Sequence, residues 1–127
     1  MIWHKLLLMA SDSGPKLKGV IFTNRNTGGA YAMSVKLTYE AQDGSQKTSS
    51  FSVASGQSRD CSDILDAVRP IRAEINTKPG YCEGATWSGA GVSGISGSGN
   101  YSLRTVNFNA SPPWECEIVI SVGASSG

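Results

Sequence analysis

The chain has 127 residues, a formal net charge of +1 and a charged fraction of 17%. This length fits one domain that can bury a real hydrophobic core, so we expect a single domain over residues 1–127. The balanced charge argues against a nucleic-acid-binding protein, which usually carries a strong basic excess. No run approaches the roughly 20 apolar residues that a membrane-spanning helix needs.

The segment Met1–Ala10 predicts the first strand, because its apolar residues fall on both faces, as in a covered strand. It resembles a signal peptide weakly, but its apolar run of about five residues is shorter than the roughly 7–15 of secretory signals. We therefore expect no convincing signal peptide, and a cytosolic or non-classically secreted protein. His4, the single histidine, lies in this segment, where a structural role suits it better than a catalytic one.

The stretch Ala30–Ala41 alternates between apolar and polar residues, which predicts a half-buried strand. The turn signal Asp43-Gly44 follows, and then a second strand over Lys47–Val53, so the two form an antiparallel hairpin. The phase predicts one buried set and one exposed set. The buried set is Tyr31, Val35, Leu37 and Phe51, and the exposed set is Lys36, Thr38 and Glu40.

Turn signals recur every 8–12 residues, which is typical of sandwiches and barrels. We predict an all-β fold, an antiparallel β-sandwich of about eight strands with one short helix. The predicted strands are residues 2–9, 17–24, 30–41, 46–53, 70–77, 81–88, 100–109 and 114–122. The helix is predicted over Ser62–Val68, with Ser62 as N-cap and Pro70 ending it. A β-bulge near Arg104-Thr105 would reconcile Tyr101 and Leu103 with the opposite phase of the residues that follow.

The segment Ser88–Asn100 is rich in glycine and serine and contains no charged residue. It has three interpretations. One is a flexible surface loop. Another is a glycine-rich strand pair that lets backbone approach a ligand or another chain closely. The third is a membrane-insertion segment, because low-charge Gly/Ser/Thr-rich hairpins of small pore-forming proteins have a similar composition.

Catalytic and metal-binding signals are weak, so we expect no enzyme, no catalytic residue, no metal and no cofactor. The sequence lacks a hydrolase elbow, a phosphate loop and a dinucleotide fingerprint. Cys61, Cys82 and Cys116 are widely spaced, unlike the paired ligands of structural zinc sites. A Cys61–Cys82 disulfide is plausible in an oxidising compartment, and the phase of Cys116 points it into the core.

Binding signals are better, because aromatic residues near loops can stack on sugars or sit at a membrane interface. We predict Trp87, Tyr101, Val92 and Ile95 as binding residues, with Trp87 partly exposed beside the Gly/Ser segment. The leading hypothesis is non-enzymatic recognition of a membrane surface or glycan, with a toxin or defence role as one form and no nucleic-acid partner. The alternatives are a self-assembling coat or filament subunit, which implies a homo-oligomer, and then a small hydrolase.

Overall fold

The computed structural model describes residues 16–26, 32–77, 82–97 and 103–122, and these form two β-sheets packed as a sandwich. One sheet has four strands in the order β4-β1-β9-β6, and the other has five in the order β3-β2-β5-β8-β7. The strands are β1 Val20–Asn26, β2 Met33–Ala41, β3 Gln46–Val53, β4 Ser58–Asp60, β5 Ala67–Asn76, β6 Cys82–Ala90, β7 Val92–Ser96, β8 Leu103–Phe108 and β9 Glu115–Val122. The all-β sandwich is therefore confirmed.

The core lies between the sheets and is built from the inward-facing residues of both. Its largest fully buried side chains are Leu17, Val20, Phe22, Met33, Val35, Leu37, Val53, Ile75, Val106, Ile118 and Ile120. Cys116 is buried in phase with Trp114, Ile118 and Ile120, as the alternation in the last strand predicts. Within the described residues, no helix is long and apolar enough to cross a membrane.

One strand pair departs from the antiparallel pattern. Strand β1 runs parallel to β9, from Val20 opposite Cys116 to Asn26 opposite Val122. Parallel neighbours need a long crossover rather than a tight turn, and here the crossover is most of the chain. Sequence periodicity carries no information about this pairing, because it reports which face a residue occupies and not which strand lies beside it.

The β2–β3 hairpin follows the predicted phase at most positions. Val35 and Leu37 are buried, Phe51 is partly buried against the core, and Lys36 is exposed. Thr38 corrects the prediction, since it is only 6% exposed. The pairing of β2 with β3 stays in register here, so Thr38 still lies on the outer face of the sheet. Its low exposure comes with its place on an inner strand, between Thr48 of β3 and Arg72 of β5. Tyr31 lies outside the described residues.

The predicted helix over Ser62–Val68 is wrong. A single 3-10 turn covers Cys61–Asp63, capped by the Asp60 carboxylate, which accepts a 3.0 Å hydrogen bond from the Ser62 N–H. The chain then enters β5 at Ala67, opposite Ala41 on β2. A helix of seven residues has little stability without tertiary contacts, and here the end of the segment pairs with β2 as a strand instead. Proline is tolerated at position 70 because β8 begins to pair with β5 only at Arg72.

The bulge expected near Arg104-Thr105 is absent from the pairing of β5 with β8, which is continuous from Arg72 to Asn76. Instead, Arg104 is 2% exposed on the same face as Val106, whereas Leu103 is 42% exposed on the other. Leu103 therefore faces away from the core without a bulge, although it is apolar. The predicted first strand, residues 2–9, lies outside the described residues.

Candidate functional site: the β6–β7 side

Strands β6 and β7 are the edge strands of the two sheets, and only Gly91 separates them along the chain. The chain thus passes from one sheet to the other at a single residue. We call the surface formed by residues 84–97 the β6–β7 side. Most of Ser88–Asn100 is therefore strand, which corrects the flexible-loop interpretation. The glycine-rich strand pair is not formed either, because β6 pairs with β9 and β7 pairs with β8.

Two glycines make this passage possible. Gly89 and Gly91 have φ values of +92° and +108°, which L side chains rarely adopt. A Cβ on Gly89 would strike the Glu115 carbonyl oxygen, and one on Gly91 would lie 2.9 Å from the Pro113 carbonyl oxygen. The close backbone approach predicted for this segment is thus made to the same chain, where residues 113–116 lead into β9.

Trp87 is the large aromatic residue on this side, and it is 41% exposed. It lies opposite Ile118 on β9, and Ala85 lies opposite Ile120. Because both isoleucines are fully buried, Ala85 and Trp87 occupy the core-facing side of the sheet. Trp87 is therefore at the margin of the core, where its ring is only partly covered.

The other predicted binding residues occupy different environments. Val92 is 9% exposed and belongs to the core, so its side chain is not available to a partner. Ile95 is partly buried and packs against the core. Tyr101 lies outside the described residues. Of the described candidates, the structure leaves Trp87 alone with a large exposed apolar surface.

The β6–β7 side has no charge in its sequence, because residues 84–103 contain no Asp, Glu, Lys, Arg or His. Residues Thr86–Ala90 are all exposed, although they belong to a strand. Among the described strands, β6 pairs with β9 alone. Over Thr86–Ala90, the edge of β6 opposite β9 therefore offers main-chain N–H and C=O groups that have no strand partner among the described strands.

The opposite side of the sandwich, formed by β3 and β4, is closed by a charged and aromatic cluster. The Arg59 guanidinium lies 4.2 Å from the centroid of the Phe51 ring, which packs edge-on against Phe22 with ring centroids 5.8 Å apart. The Asp63 carboxylate holds Arg59 in a 2.9 Å ion pair. Strand β4, of three residues, is the shortest in the described sheets, so the four-stranded sheet has little edge on this side, where β3 of the other sheet is the longer edge.

Cys61 and Cys116 are buried free thiols, so the Cys61–Cys82 disulfide is not formed. Burial raises the pKa of Cys61 to about 12 and that of Cys116 to about 11. Both groups are therefore protonated at neutral pH and are poor nucleophiles. No cluster of metal-ligating side chains occurs in the described ranges.

A polar depression of about 270 Å³ lies on the outer face of the five-stranded sheet. Its lining residues are Ser34, Val35, Lys36, Ser50, Phe51, Ser52, Glu74 and Asn76. Lys36 stands opposite Glu74 on the neighbouring strand, so the charges in the depression balance. The lining residues include serine hydroxyls but no histidine.

Comparison with known proteins gives only a distant structural likeness. No family model matches the chain, and no curated protein matches it. Two crystal forms of a bacterial adhesin from Mobiluncus mulieris, which contains intramolecular disulfide, isopeptide and ester bond cross-links, have a similar fold, with a TM-score of 0.47 and 16% identity. The matches cover 84% and 86% of this chain but 41% and 42% of the adhesin, so the chain spans about two fifths of that protein, and the likeness concerns strand arrangement alone.

Proposed function

We propose that this chain is a non-enzymatic binding protein that engages an extended polypeptide strand through the β6–β7 side, with Trp87 as the anchor. The observation that carries the proposal is the outer edge of β6 over Thr86–Ala90, which is exposed, uncharged and without a strand partner among the described strands. Edges of this kind accept an added strand, because main-chain hydrogen bonds supply affinity and side-chain pockets supply specificity.

A membrane surface fits this side less well. The N–H and C=O groups on the outer edge of Thr86–Ala90, which have no strand partner among the described strands, would need hydrogen-bond partners, and hydrocarbon offers none. Trp87 is also the single large apolar side chain with a well-exposed surface on the described part of this side. One aromatic ring can sit at a membrane interface, but it brings little buried area.

A glycan also fits less well. Sugar sites combine an aromatic platform with several convergent polar side chains. Trp87 has Ala85 and Gly89 as neighbours on its own face of the strand, and neither has a polar side chain. Thr86 and Ser88 bear hydroxyls, but alternation directs them to the opposite face. An added polypeptide strand uses both the free main chain and the tryptophan ring.

The test is a binding panel with three probes. They are a labelled peptide with the β6 sequence of residues 82–90 carrying Cys82→Ser, vesicles of neutral and anionic phospholipid, and a glycan array. We expect the peptide to bind, and Trp87→Ala to weaken that binding at least about tenfold, the scale of an interface hot spot. Leu65→Ala is the matched control, since Leu65 is 69% exposed on a turn away from β6.

Leu65→Ala should leave peptide affinity unchanged. If the chain binds vesicles or glycans through Trp87 and does not bind the peptide, the partner is a membrane surface or a glycan and not a polypeptide. Failure to bind any of the three probes would overturn the proposal, as would peptide binding that Trp87→Ala does not affect.

A further inference from the structure

We propose that the polar depression on the outer face of the five-stranded sheet binds a free α-amino acid, with the ligand's carboxylate at Lys36 and its ammonium group at Glu74. The site goes beyond the proposed function, because the depression lies on β2, β3 and β5 and not on the β6–β7 side. An α-amino acid is a zwitterion that carries its two opposite charges on neighbouring groups.

The position of the depression follows from the alternation of β2 and β5. Val35 and Ile75 are buried in the core, so their sequence neighbours point to the outer face. On that face, Ser34 lies directly between Ser52 of β3 and Asn76 of β5. The two serines have short side chains, so a hollow of about 270 Å³ remains beside the longer side chains of the next row.

That next row supplies two opposite charges. Lys36 stands directly opposite Glu74 on β5, but among the described residues neither side chain has an ion-pair partner. The pair of Arg69 with Glu40 joins the same two strands and closes to 2.8 Å. The two charges at the depression therefore stay apart where a neighbouring pair on the same strands has closed.

The two charges select against ions of a single sign. A simple anion at Lys36 would also face the Glu74 carboxylate, and a simple cation at Glu74 would face the Lys36 ammonium group. A zwitterion matches both, because its carboxylate accepts hydrogen bonds from an ammonium group and its ammonium group donates to a carboxylate. Charge complementarity therefore favours a ligand that carries both signs.

Uncharged groups complete the site. The uncharged polar side chains of the depression are exposed and make no hydrogen bond with the described part of the chain; they are Ser34, Ser50, Ser52 and Asn76. Ser50 stands opposite Lys36, where its hydroxyl can donate to the ligand's carboxylate. Asn76 follows Glu74 on the same face of β5, where its amide oxygen can accept from the ligand's ammonium group.

The size of the depression also indicates a small ligand. Its volume of about 270 Å³ is below the roughly 300–1,000 Å³ of sites for drug-sized molecules. Because its polar side chains are exposed to water, we expect weak binding, in the millimolar range. The depression therefore suits a single amino acid better than a longer peptide.

The test is an NMR titration of the isotope-labelled full chain with three small probes. They are glycine, glycinamide, which lacks the carboxylate, and N-acetylglycine, which lacks the ammonium group. We expect glycine to shift the amide signals around Lys36, Ser50 and Glu74. Each of the other two probes should bind at least about tenfold more weakly, because it leaves one side-chain charge unmatched.

Two substitutions assign the charges to their residues. Lys36→Met and Glu74→Gln keep the approximate length of the side chain and remove its charge, so each should weaken glycine binding at least about tenfold. Lys47→Met is the matched control, because Lys47 lies on β3 of the same sheet but pairs with Asp66 and does not line the depression. It should leave the affinity for glycine unchanged, and the amide spectrum shows whether each variant is folded.

Three outcomes would overturn the proposal. Glycine could shift no amide signal of the depression, it could bind no more tightly than glycinamide or N-acetylglycine, or Lys47→Met could weaken its binding as much as Lys36→Met does. None of these outcomes bears on the β6–β7 side, because peptide binding there is measured separately with Trp87→Ala.

Discussion

Each lateral side of the sandwich has an aromatic ring at the margin of the core, and the two sides differ in what covers that ring. On the β3–β4 side, Arg59 lies over Phe51 and is held by Asp63, so an aromatic ring at the core margin is covered by a charged side chain. On the β6–β7 side, Trp87 stands at the equivalent margin, 41% exposed and within residues 84–97, which carry no charge. A charged cover excludes other chains, and its absence leaves an edge that another chain can use.

Hydrogen bonds reinforce the difference. The connection between β3 and β4 is tied to β1, because the buried Asn24 side chain donates to the Val53 carbonyl oxygen at 2.9 Å and the Asn24 main chain bonds Gly56 and Gln57. The passage between β6 and β7 depends instead on two glycines whose backbone lies against residues 113–116. The β3–β4 connection is therefore fixed by side-chain and main-chain hydrogen bonds, whereas the β6–β7 passage requires two residues without a side chain.

The largest expected change in the free energy of unfolding comes from adding a side chain at Gly89. Gly89→Ala should destabilise the fold by about 2–5 kcal/mol, from roughly 1–2 for the left-handed backbone and roughly 1–3 for forcing a methyl group against packed backbone. Gly44→Ala is the control, since Gly44 has a φ of +87° but nothing within 4 Å of its Cβ position. It should show the backbone cost alone. Urea unfolding measures both, and equal losses would refute the close approach at Gly89.

The two margin aromatics should differ in the free energy of unfolding. Phe51→Ala should cost about 3 kcal/mol, near the range for core phenylalanines, because it removes a ring that packs on Phe22 and under Arg59. Trp87→Ala should cost roughly 1–2 kcal/mol, since much of its area is already in water. Thermal unfolding at a concentration where the chain is monomeric compares them. A larger loss for Trp87→Ala would make Trp87 a core residue.

The buried thiols report how well the core is closed. Burial raises the pKa of Cys61 to about 12, so alkylation by iodoacetamide near pH 9 should be at least about a hundredfold slower in the folded chain than in urea. Because the folded pKa is raised, the associated stability is present below the ordinary thiol pKa and is lost as pH rises towards 12. Peptide mass spectrometry follows Cys61 and Cys116 separately, and rapid alkylation of folded Cys61 would contradict the assignment.

The smallest effect lies at the surface where the β2–β3 hairpin meets the turn before β5. The hydrogen bond from Lys47, at 3.1 Å, is the main cause that holds the pKa of Asp66 below its ordinary value, and the Tyr39 hydroxyl adds to it. The associated stability is present above the ordinary carboxyl pKa and is lost as pH falls through the lowered one. Lys47→Ala should raise the pKa of Asp66 in an NMR titration, and an unchanged value would show that the pair is not formed in solution.

The sequence predicted the fold class well because alternation is a local property that directly reports burial. The second strand of the hairpin, predicted over residues 46–53, coincides with β3, and the last predicted strand differs from β9 by one residue. The helix over Ser62–Val68 failed in part because Ser62 is not an N-cap: the Asp60 carboxylate caps a single 3-10 turn over Cys61–Asp63. The segment also pairs at Ala67 with Ala41, which is distant in sequence.

The candidate site was predicted in part for a similar reason. The exposure of Trp87 was expected from its position beside glycine-rich sequence. Val92 was expected to bind a partner, but the corner at Gly91 turns it into the core. On the β3–β4 side, the contact between Arg59 and Phe51 joins two different sheets, and no local sequence pattern predicts such a contact. Only the tertiary structure shows that the aromatic ring is covered on the β3–β4 side and partly exposed on the β6–β7 side.

The most direct test of the account is to locate the bound strand on the protein. Amide chemical shifts of the isotope-labelled chain, recorded while the unlabelled β6 peptide is added, identify the residues it contacts. We expect the largest shifts over Gly84–Ala90, with β3 unchanged. Shifts concentrated on β3, Gln46–Val53, with β6 unaffected, would contradict the claim that the β6–β7 side is the binding surface.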